Sequence, residues 1–169
     1  ERFAPLAAAD AVLGRTEGPL ARAGGLPSDI RVFCGAHDTN AALQAARLSG
    51  QMGGGAALVS TGTWTVIMAL SDRLSGLNSA RDCLANVAID GRAVPTARFM
   101  GGKEYALIAG EAPAAPTSEA CKALVARGVR TLPPFAAAGP FMGGPPGRIE
   151  GEVNSPAERA ALASLHCAL

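Results

Sequence analysis

Two short stretches of the chain carry the residue types that phosphoryl transfer requires. In the first, residues 32–40, an apolar run leads to Gly35 and then to Asp38, which opens an alanine-rich segment. The second, residues 57–67, places Thr61-Gly62-Thr63 between two runs of β-prone side chains. A carboxylate can accept a proton from an alcohol, while hydroxyls and backbone amides can hold phosphate oxygens. Together the two stretches predict a phosphoryl-transfer site.

Asp38 has a structural and a catalytic interpretation. Aspartate is a preferred N-cap residue, so the start of the following helix would by itself explain its presence. Its neighbours favour catalysis, because Gly35 permits a sharp turn and both His37 and Asn40 add polar groups. The end of a strand is also where open α/β sheets bind ligands. We therefore predict that the Asp38 carboxylate is catalytic.

The Thr61-Gly62-Thr63 segment also has two interpretations. It could be a simple hairpin turn in which Gly62 supplies a positive φ. Alternatively, Gly62 lets the backbone amides approach phosphate oxygens, and the two threonine hydroxyls add donors to an anion-binding concavity. In both cases we expect Trp64 to pack beneath the hairpin.

These residues resemble the central signature of the FGGY carbohydrate kinases. The similarity lies in residues 35–39 and 60–64, Gly-Ala-His-Asp-Thr and Ser-Thr-Gly-Thr-Trp, and it points to the fuculokinase and rhamnulokinase-like branch. The resemblance implies that Asp38 takes a proton from the sugar hydroxyl and that His37, Asp38 and Thr39 bind the sugar. It further implies that Thr61, Gly62 and Thr63 hold the phosphates of ATP, accompanied by Mg²⁺, with no metal ligand assigned to the chain. His37 alternatively makes only a structural hydrogen bond.

The resemblance implies an α/β fold of the ribonuclease H-like, actin-like kind, with the active site between two domains. Residues 1–50 would be the C-terminal part of the N-terminal kinase domain, and residues 51–169 the N-terminal part of the C-terminal kinase domain. The family's N-terminal phosphate hairpin and its later Gly-Gly adenosine segment are not recognisable. The chain also begins without Met and ends inside a predicted helix. We therefore expect a middle piece of a kinase that is inactive alone.

The substrate implied by the resemblance is a ketose or deoxy-ketose of the L-fuculose or L-rhamnulose type. Two other function classes are alternatives. A non-catalytic actin-like module would bind nucleotide without sugar-dependent turnover. A metal-dependent hydrolase would use His37 and Asp38, but His166 is the sole further histidine, and the Cys34–His37 pair lacks the second ligand pair of a zinc site.

The elements that must position these residues follow from hydrophobic pattern and from glycine and proline breakers. Gln51–Gly55 is a flexible joint that marks the unit boundary. Gly101-Gly102 opens a short helix, and tight packing explains the glycine pair. The other predicted elements are a buried strand at 30–34, a helix from 41 to 50, a hairpin at 56–70, strands at 84–89 and 93–97 joined by Asp90-Gly91, a helix at 118–126, and a loop at 132–147.

The last predicted helix has clear boundary signals. Ser155 is the predicted N-cap, Pro156 occupies the first turn, and Glu158 is placed to complete a capping box. Leu162, Leu165 and Leu169 recur at helical spacing on one face, which therefore needs an apolar partner.

Composition excludes several classes of protein. Of 169 residues, 49% are hydrophobic and 17% charged, so a globular fold is favoured over disorder. The net charge of +1 comes from scattered residues, which excludes a basic surface for nucleic acid or membrane. No apolar run reaches the roughly 18–20 residues of a membrane span, and no signal peptide is recognisable. We expect a cytoplasmic protein with reduced, partly buried cysteines. The resemblance implies a small-molecule sugar substrate and leaves a homo-oligomer open.

Overall fold

The computed structural model describes residues 5–50, 55–71, 73–111 and 114–168. The chain divides into two compact units, each described here by itself. The first unit is Glu1–Gln51 together with Val87–Arg92, and the second is Met52–Asn86 together with Ala93–Leu169. The architecture is mixed α/β, as predicted.

The first unit joins a short hairpin to one long helix. Strands β1 (Val12–Arg15) and β2 (Arg31–Phe33) are antiparallel, and helix α1 (Pro19–Ala23) lies between them in the chain. Helix α2 (Asp38–Leu48) follows β2 and buries Leu43. The predicted strand, turn and helix therefore form as expected.

The prediction that the strand before Asp38 is buried is wrong for the described chain. Val32 is 42% exposed and Phe33 is 46% exposed. The strand belongs to a two-stranded sheet, and within the described residues no second layer covers its side chains. An apolar strand sequence shows that a strand can be buried, but burial itself requires a covering element.

Residues 87–92 form the predicted Asp90-Gly91 turn between the strands Cys83–Val87 and Ala93–Phe99. The amide of Ala88 donates to the carbonyl of Arg92 at 2.8 Å, and Gly91 has a φ of +79°. Glycine adopts this conformation without steric cost, which explains its place in the turn. Within the first unit, the Asn40 side-chain amide donates to the carbonyl of Val87 at 3.1 Å and so ties the turn to α2.

The second unit contains a four-stranded sheet. Its strands are β3 (Ala57–Ser60), β4 (Thr65–Ala69), β5 (Cys83–Val87) and β6 (Ala93–Phe99), with a 3-10 turn at Ser79–Arg81. The strand order is β3-β4-β6-β5, and β4 pairs antiparallel with both β3 and β6. Met68 and Val94 are each 1% exposed and lie on the buried face of the sheet.

Three helices and a small hairpin complete the second unit. Helix α3 is Gly101–Ala109, α4 is Ser118–Ala126 and α5 is Pro156–Ala168. Strands β7 (Arg130–Leu132) and β8 (Arg148–Glu150) are antiparallel and enclose the proline- and glycine-rich loop at 133–147. The loop and α4 were predicted, whereas the two three-residue strands were not. The helical core contains Ile108, Ala109, Leu124, Val129, Ala161, Leu162 and Ala163.

The N-terminus of α5 follows its sequence signals closely. The Ser155 hydroxyl accepts from the Glu158 amide at 3.1 Å, which is the predicted cap. The Glu158 carboxylate accepts from the amide of Asn154 at 2.8 Å, one residue before the expected donor. Leu162 is buried and Leu165 packs against the core, while Leu169 lies outside the described residues.

The cysteines are all free. Cys34 is exposed, against the expectation of partial burial, and Cys83, Cys121 and Cys167 are half-buried. No helix among the described residues has both the length and the apolar composition needed to cross a membrane.

Candidate functional site

The first group of predicted site residues lies at the start of α2 in the first unit. His37 is the N-cap residue and Asp38 is the first residue of the helix. The structural alternative, in which Asp38 is the N-cap, is therefore off by one position. Gly35, with a φ of +80°, makes the turn that separates β2 from this helix start. Asp38 still has a structural role at the helix start, because it is an acid in the first turn and its carboxylate accepts from the Thr39 amide.

Only one of the two oxygens of the Asp38 carboxylate accepts hydrogen bonds from the described residues. Its Oδ1 accepts from the Thr39 amide at 2.6 Å and from the Thr39 hydroxyl at 3.2 Å. His37 Nδ1 lies 2.8 Å from the same oxygen. The described residues place no hydrogen-bond donor on Oδ2, so that oxygen can accept one from a ligand hydroxyl.

His37 and Asp38 are accessible to a ligand. Their side chains are 74% and 89% exposed. Contact with a carboxylate oxygen at 2.8 Å favours a proton on His37 Nδ1, because two acceptors at this distance would repel each other. The Thr39 amide then donates to Asp38 rather than to the ring nitrogen, which lies 3.3 Å away. His37, Asp38 and Thr39 therefore form one connected group, called here the Asp38 cluster.

The second group lies in the second unit, on the loop of residues 61–64 that joins β3 to β4. Ser60 pairs with Val66 as the last register pair, so Thr61, Gly62 and Thr63 lie beyond the ladder. All three residues are exposed. Within the described chain, neither threonine hydroxyl makes a hydrogen bond, so both remain available as donors.

Gly62 does not have the positive φ that would explain a glycine in a simple hairpin turn. Its φ is outside the positive range, so the interpretation as a turn glycine with positive φ is wrong. A Cβ built at this position would meet only the carbonyl oxygen of Trp64, at an ordinary 3.7 Å. Neither backbone conformation nor packing within the described chain requires glycine here.

Trp64 lies next to this loop and is half-buried. The Arg98 guanidinium carbon lies 5.0 Å above the centre of its ring, a cation–π geometry. Arg98 also donates from Nε to the buried Asp82 carboxylate at 2.9 Å. The base of the loop is therefore supported by an arginine that is itself fixed by an acid.

The glycine pair at the start of α3 packs directly on the same loop. A Cβ at Gly102 would lie 2.3 Å from the carbonyl oxygen of Gly62 and 3.0 Å from the Cα of Thr63. A Cβ at Gly101 would lie 2.3 Å from the Thr65 hydroxyl oxygen. Tight packing was the predicted reason for this pair, and the structure confirms it.

A buried polar group that sequence reasoning missed lies behind this contact. The Glu104 carboxylate, 4% exposed, contacts His166 Nε2 at 2.9 Å. It also accepts from the amide of Phe135 at 3.0 and 3.1 Å and from the amide of Ala136 at 2.9 Å. His166 Nδ1 completes the chain of contacts with the Thr131 hydroxyl at 2.8 Å.

One sequence signal could have identified Glu104. It lies four residues before Ile108, so the two side chains share a helix face, and Ile108 is fully buried. A carboxylate on an apolar helix face must be paired. Its partner His166 is 62 residues away in the chain, which no local pattern reveals.

The same residues line a cavity of about 650 Å³ within the second unit. Most of its other lining is apolar, including Val59, Phe99 and Phe141. Burial raises the pKa of the Cys167 thiol at its wall, and the Glu104 carboxylate raises it further. A thiol in this setting stays protonated and is a weak nucleophile.

Metal-ligand chemistry is limited in the described ranges. No three His, Cys, Asp or Glu side chains among them converge into a group that could hold a metal ion. Mg²⁺, however, commonly keeps several waters and binds through one or two carboxylates together with substrate phosphates. Each unit, taken by itself, exposes oxygen donors that Mg²⁺ accepts: the Asp38 carboxylate in the first, and the hydroxyls of Thr61 and Thr63 in the second. The donor chemistry fits Mg²⁺ that arrives with a nucleotide.

Comparison with known proteins gives a consistent result. The family described as carbohydrate kinase FGGY, C-terminal domain, matches residues 53–169. A carbohydrate kinase structure from Novosphingobium aromaticivorans is 34% identical with a TM-score of 0.71, over 99% of this chain and 39% of that one. A xylulose kinase structure from Rhodospirillum rubrum is 23% identical with a TM-score of 0.52, over 97% of this chain and 34% of that one, and supports the fold alone. No curated protein sequence matches the chain.

These matches confirm the fold class predicted from the sequence, a piece of an α/β protein of the actin-like ATPase fold. The chain spans about two-fifths of the first of these structures and one-third of the second.

Proposed function

The chain belongs to the FGGY family of carbohydrate kinases, and on that premise we propose that the full-length protein transfers the γ-phosphoryl group of ATP to a sugar hydroxyl. The observation that carries the proposal is the Asp38 cluster, in which one carboxylate oxygen is fixed and the other is open. This arrangement suits a group that must orient an alcohol and receive its proton.

Asp38 acts as the base in this reaction. The sugar hydroxyl donates to Oδ2 and loses its proton to that oxygen as its own oxygen attacks the γ-phosphorus. The bond between the γ-phosphorus and the β–γ bridging oxygen breaks, and ADP leaves with that electron pair. The Thr39 amide and hydroxyl keep the carboxylate in one orientation through Oδ1. Positioning of this kind supplies much of the acceleration in phosphoryl transfer.

His37 and Thr39 form the rest of the sugar-binding group in this proposal, Thr39 being 6% exposed and acting through its hydrogen bonds to Asp38. The imidazole of His37 is largely exposed and has a second ring nitrogen free to contact a sugar hydroxyl. The His-Asp-Thr form of the motif supports an L-fuculose or L-rhamnulose type of ketose as the substrate. The narrower family branch, fuculokinase and rhamnulokinase-like, is proposed on the same residues.

Thr61, Gly62 and Thr63 bind the phosphates of ATP. Two features support this role: the threonine hydroxyls are exposed and unpaired in the described chain, and no structural requirement explains glycine at position 62. A residue without a side chain lets phosphate oxygens come close to backbone amides. When bound, Mg²⁺ neutralises charge on the β- and γ-phosphoryl oxygens.

The proposal divides the chain between two kinase domains, residues 1–50 at the end of the first and 51–169 at the start of the second. It requires that the sugar at Asp38 meet the γ-phosphoryl group in the full-length protein, with closure excluding water. ATP as the donor is consistent with a cytoplasmic enzyme. The family match favours a kinase over a non-catalytic nucleotide module or a His-Asp hydrolase.

The test is sugar-dependent ADP formation by the full-length protein with a panel of ketoses, and its Asp38→Asn variant. Asparagine keeps the shape of the side chain but is a very poor proton acceptor, so turnover should fall by at least about 10²–10⁴-fold. ADP binding, measured by calorimetry, should stay within twofold of wild type, because Asp38 is assigned to the sugar.

Asp29→Asn is the matched control. Asp29 is an exposed acid of the first unit whose carboxylate has no partner among the described residues, and its substitution should leave turnover unchanged. Wild-type turnover in the Asp38→Asn variant would remove Asp38 from the mechanism. If no sugar stimulates ATP consumption by the wild-type protein, the kinase assignment itself is wrong.

A further inference from the structure

We propose that Gly102, assisted by Gly101, is a positioning residue that sets the placement of the phosphate-binding loop. The inference rests on the proposed role of residues 61–63 in holding ATP. It concerns a helix that makes no proposed contact with substrate but lies against the backbone that does.

The contact between α3 and the loop leaves no room for a side chain. A Cβ at Gly102 would meet the Gly62 carbonyl oxygen at 2.3 Å, the Gly62 carbonyl carbon at 3.0 Å and the Thr63 Cα at 3.0 Å. All three are backbone atoms, which cannot rotate out of the way as a flexible side chain would. Any residue other than glycine at 102 must therefore displace either the loop or the helix.

The neighbouring glycine makes a second contact of this kind. A Cβ at Gly101 would meet the Thr65 hydroxyl oxygen at 2.3 Å and the Phe99 ring at 3.1 Å. Thr65 and Phe99 are paired across β4 and β6, at the end of these strands where the loop leads into β4. The first turn of α3 therefore contacts both the loop and the strand that follows it.

Of the two partners, the helix is the one that is fixed. Glu104, one turn into α3, is held by the amides of Phe135 and Ala136 and by His166. Ile108, one turn later, is fully buried in the helical core. The loop at 61–64, in contrast, has its first three residues exposed. A clash between the two is therefore relieved by movement of the loop.

The size of that movement follows from the contact distance. The shortest contact of 2.3 Å must lengthen to about 3.4 Å, an ordinary van der Waals separation, so the loop backbone moves by about 1 Å. A displacement of about 1 Å in a group that positions substrate can cost on the order of 10²-fold in rate. We therefore expect a side chain at position 102 to weaken nucleotide binding and to leave sugar binding intact.

The experiment compares Gly102→Ala with wild type in the full-length protein. We expect the KM for ATP and the Kd for ADP to rise by roughly 10–100-fold, while the KM for the sugar changes less than twofold. Alanine is the better helix former, so at an open helical site this substitution would not weaken the protein. A rise in the KM for ATP and in the Kd for ADP, without a rise in the KM for the sugar, therefore reports the contact between Gly102 and the loop.

Two matched controls separate positioning from general destabilisation. Ile108→Val shortens a buried side chain of the same helix without touching the loop, and should leave the KM for ATP within twofold. Gly14→Ala changes a glycine whose Cβ position has nothing within 4 Å, and it should leave the KM for ATP and the Kd for ADP unchanged. If Ile108→Val raises the KM for ATP as much as Gly102→Ala does, loss of helix packing explains the effect and the proposal is overturned.

Thr61→Val combined with Thr63→Val separates this inference from the proposed function. If the double valine variant leaves ADP affinity unchanged, the loop does not bind phosphate and the underlying assignment fails. If that variant weakens ADP binding while Gly102→Ala binds ADP like wild type, only the positioning role fails.

Hydrogen exchange of the wild-type protein gives a second measurement that does not depend on folding of the Gly102→Ala variant. ADP should slow amide exchange in residues 61–63 and in the first turn of α3 together, because the two are in direct contact. Protection of the loop with no change in α3 would contradict the proposal.

Discussion

Replacement of Glu104 by leucine should be among the most destabilising single substitutions in the second unit. The carboxylate is 4% exposed and accepts hydrogen bonds from two backbone amides, those of Phe135 and Ala136. Its other partner is His166, whose ring nitrogen lies 2.9 Å away. Leucine has a similar volume but accepts no hydrogen bond, so all three donors lose their acceptor together.

The magnitude follows from these donors. A buried donor without a partner costs about 1–3 kcal/mol, so the two amides alone cost about 2–6 kcal/mol. Loss of the contact with the His166 ring nitrogen adds to this cost. Burial of the leucine side chain offsets only part of the loss. We therefore expect the free energy of unfolding to fall by about 3–5 kcal/mol.

Urea denaturation of the full-length protein, followed by circular dichroism, measures the effect. Glu104→Gln should cost less than Glu104→Leu, because the amide oxygen still accepts from the backbone and the amide nitrogen can donate to His166. Glu119→Leu is the matched control, since Glu119 is an exposed acid in the first turn of α4. That substitution should cost no more than about 1 kcal/mol.

The result that would refute this reasoning is a Glu104→Leu variant as stable as the Glu119→Leu control. It would mean that solvent or a rearranged loop satisfies Phe135 and Ala136 without the carboxylate. A cost for Glu104→Gln equal to that for Glu104→Leu would instead assign the effect to lost charge rather than to lost acceptors.

Two further predictions concern α5. Leu162→Ala should lower the free energy of unfolding by about 2–5 kcal/mol in urea denaturation, because Leu162 is 2% exposed in the helical core; a loss under about 1 kcal/mol would contradict this packing. Hydrogen bonds from Arg127 and from the amide of Asn154 hold the pKa of Glu158 below its ordinary value of 4.5. Its contribution to stability is therefore complete above about pH 4.5 and is lost as the pH falls through the lowered pKa, so Glu158→Gln should flatten the acid limb of a stability-versus-pH curve. An acid limb identical to that of wild type would show that Glu158 is not linked to folding.

Local signals predicted the helices and turns well because the interactions that form them are local. The helix at 118–126 was placed at its observed bounds, where Thr117 caps it by accepting from the Ala120 amide at 3.1 Å. The Ser155 cap and the Asp90-Gly91 turn also depend on atoms within a few residues of each other. Hydrogen bonds between near neighbours in the chain can be read from residue order alone.

Burial and pairing were less predictable because they depend on distant partners. Strand β2 has an apolar sequence but is exposed, since burial depends on what covers the strand. Strands β7 and β8 are three residues each and form only as a pair across the 133–147 loop. The one-residue difference at Asp38 has a different cause, because the helix backbone begins at Asp38 and the N-cap position therefore falls on His37.

For the candidate site, the sequence by itself pointed to the residues that we propose carry chemical function. Asp38, Thr61 and Thr63 stand out because their side chains have few uses at such positions besides accepting or donating to a ligand. Only the tertiary structure shows which contacts position these groups. They are the hydrogen bonds to one oxygen of Asp38, the contact of Gly102 with the loop, and the Glu104–His166 pair, which is 62 residues apart in the chain. The physical reason is the sequence distance over which each property is set. The chemistry of a side chain belongs to its own residue, whereas its position depends on contacts with atoms that are distant in the chain and that only folding brings near.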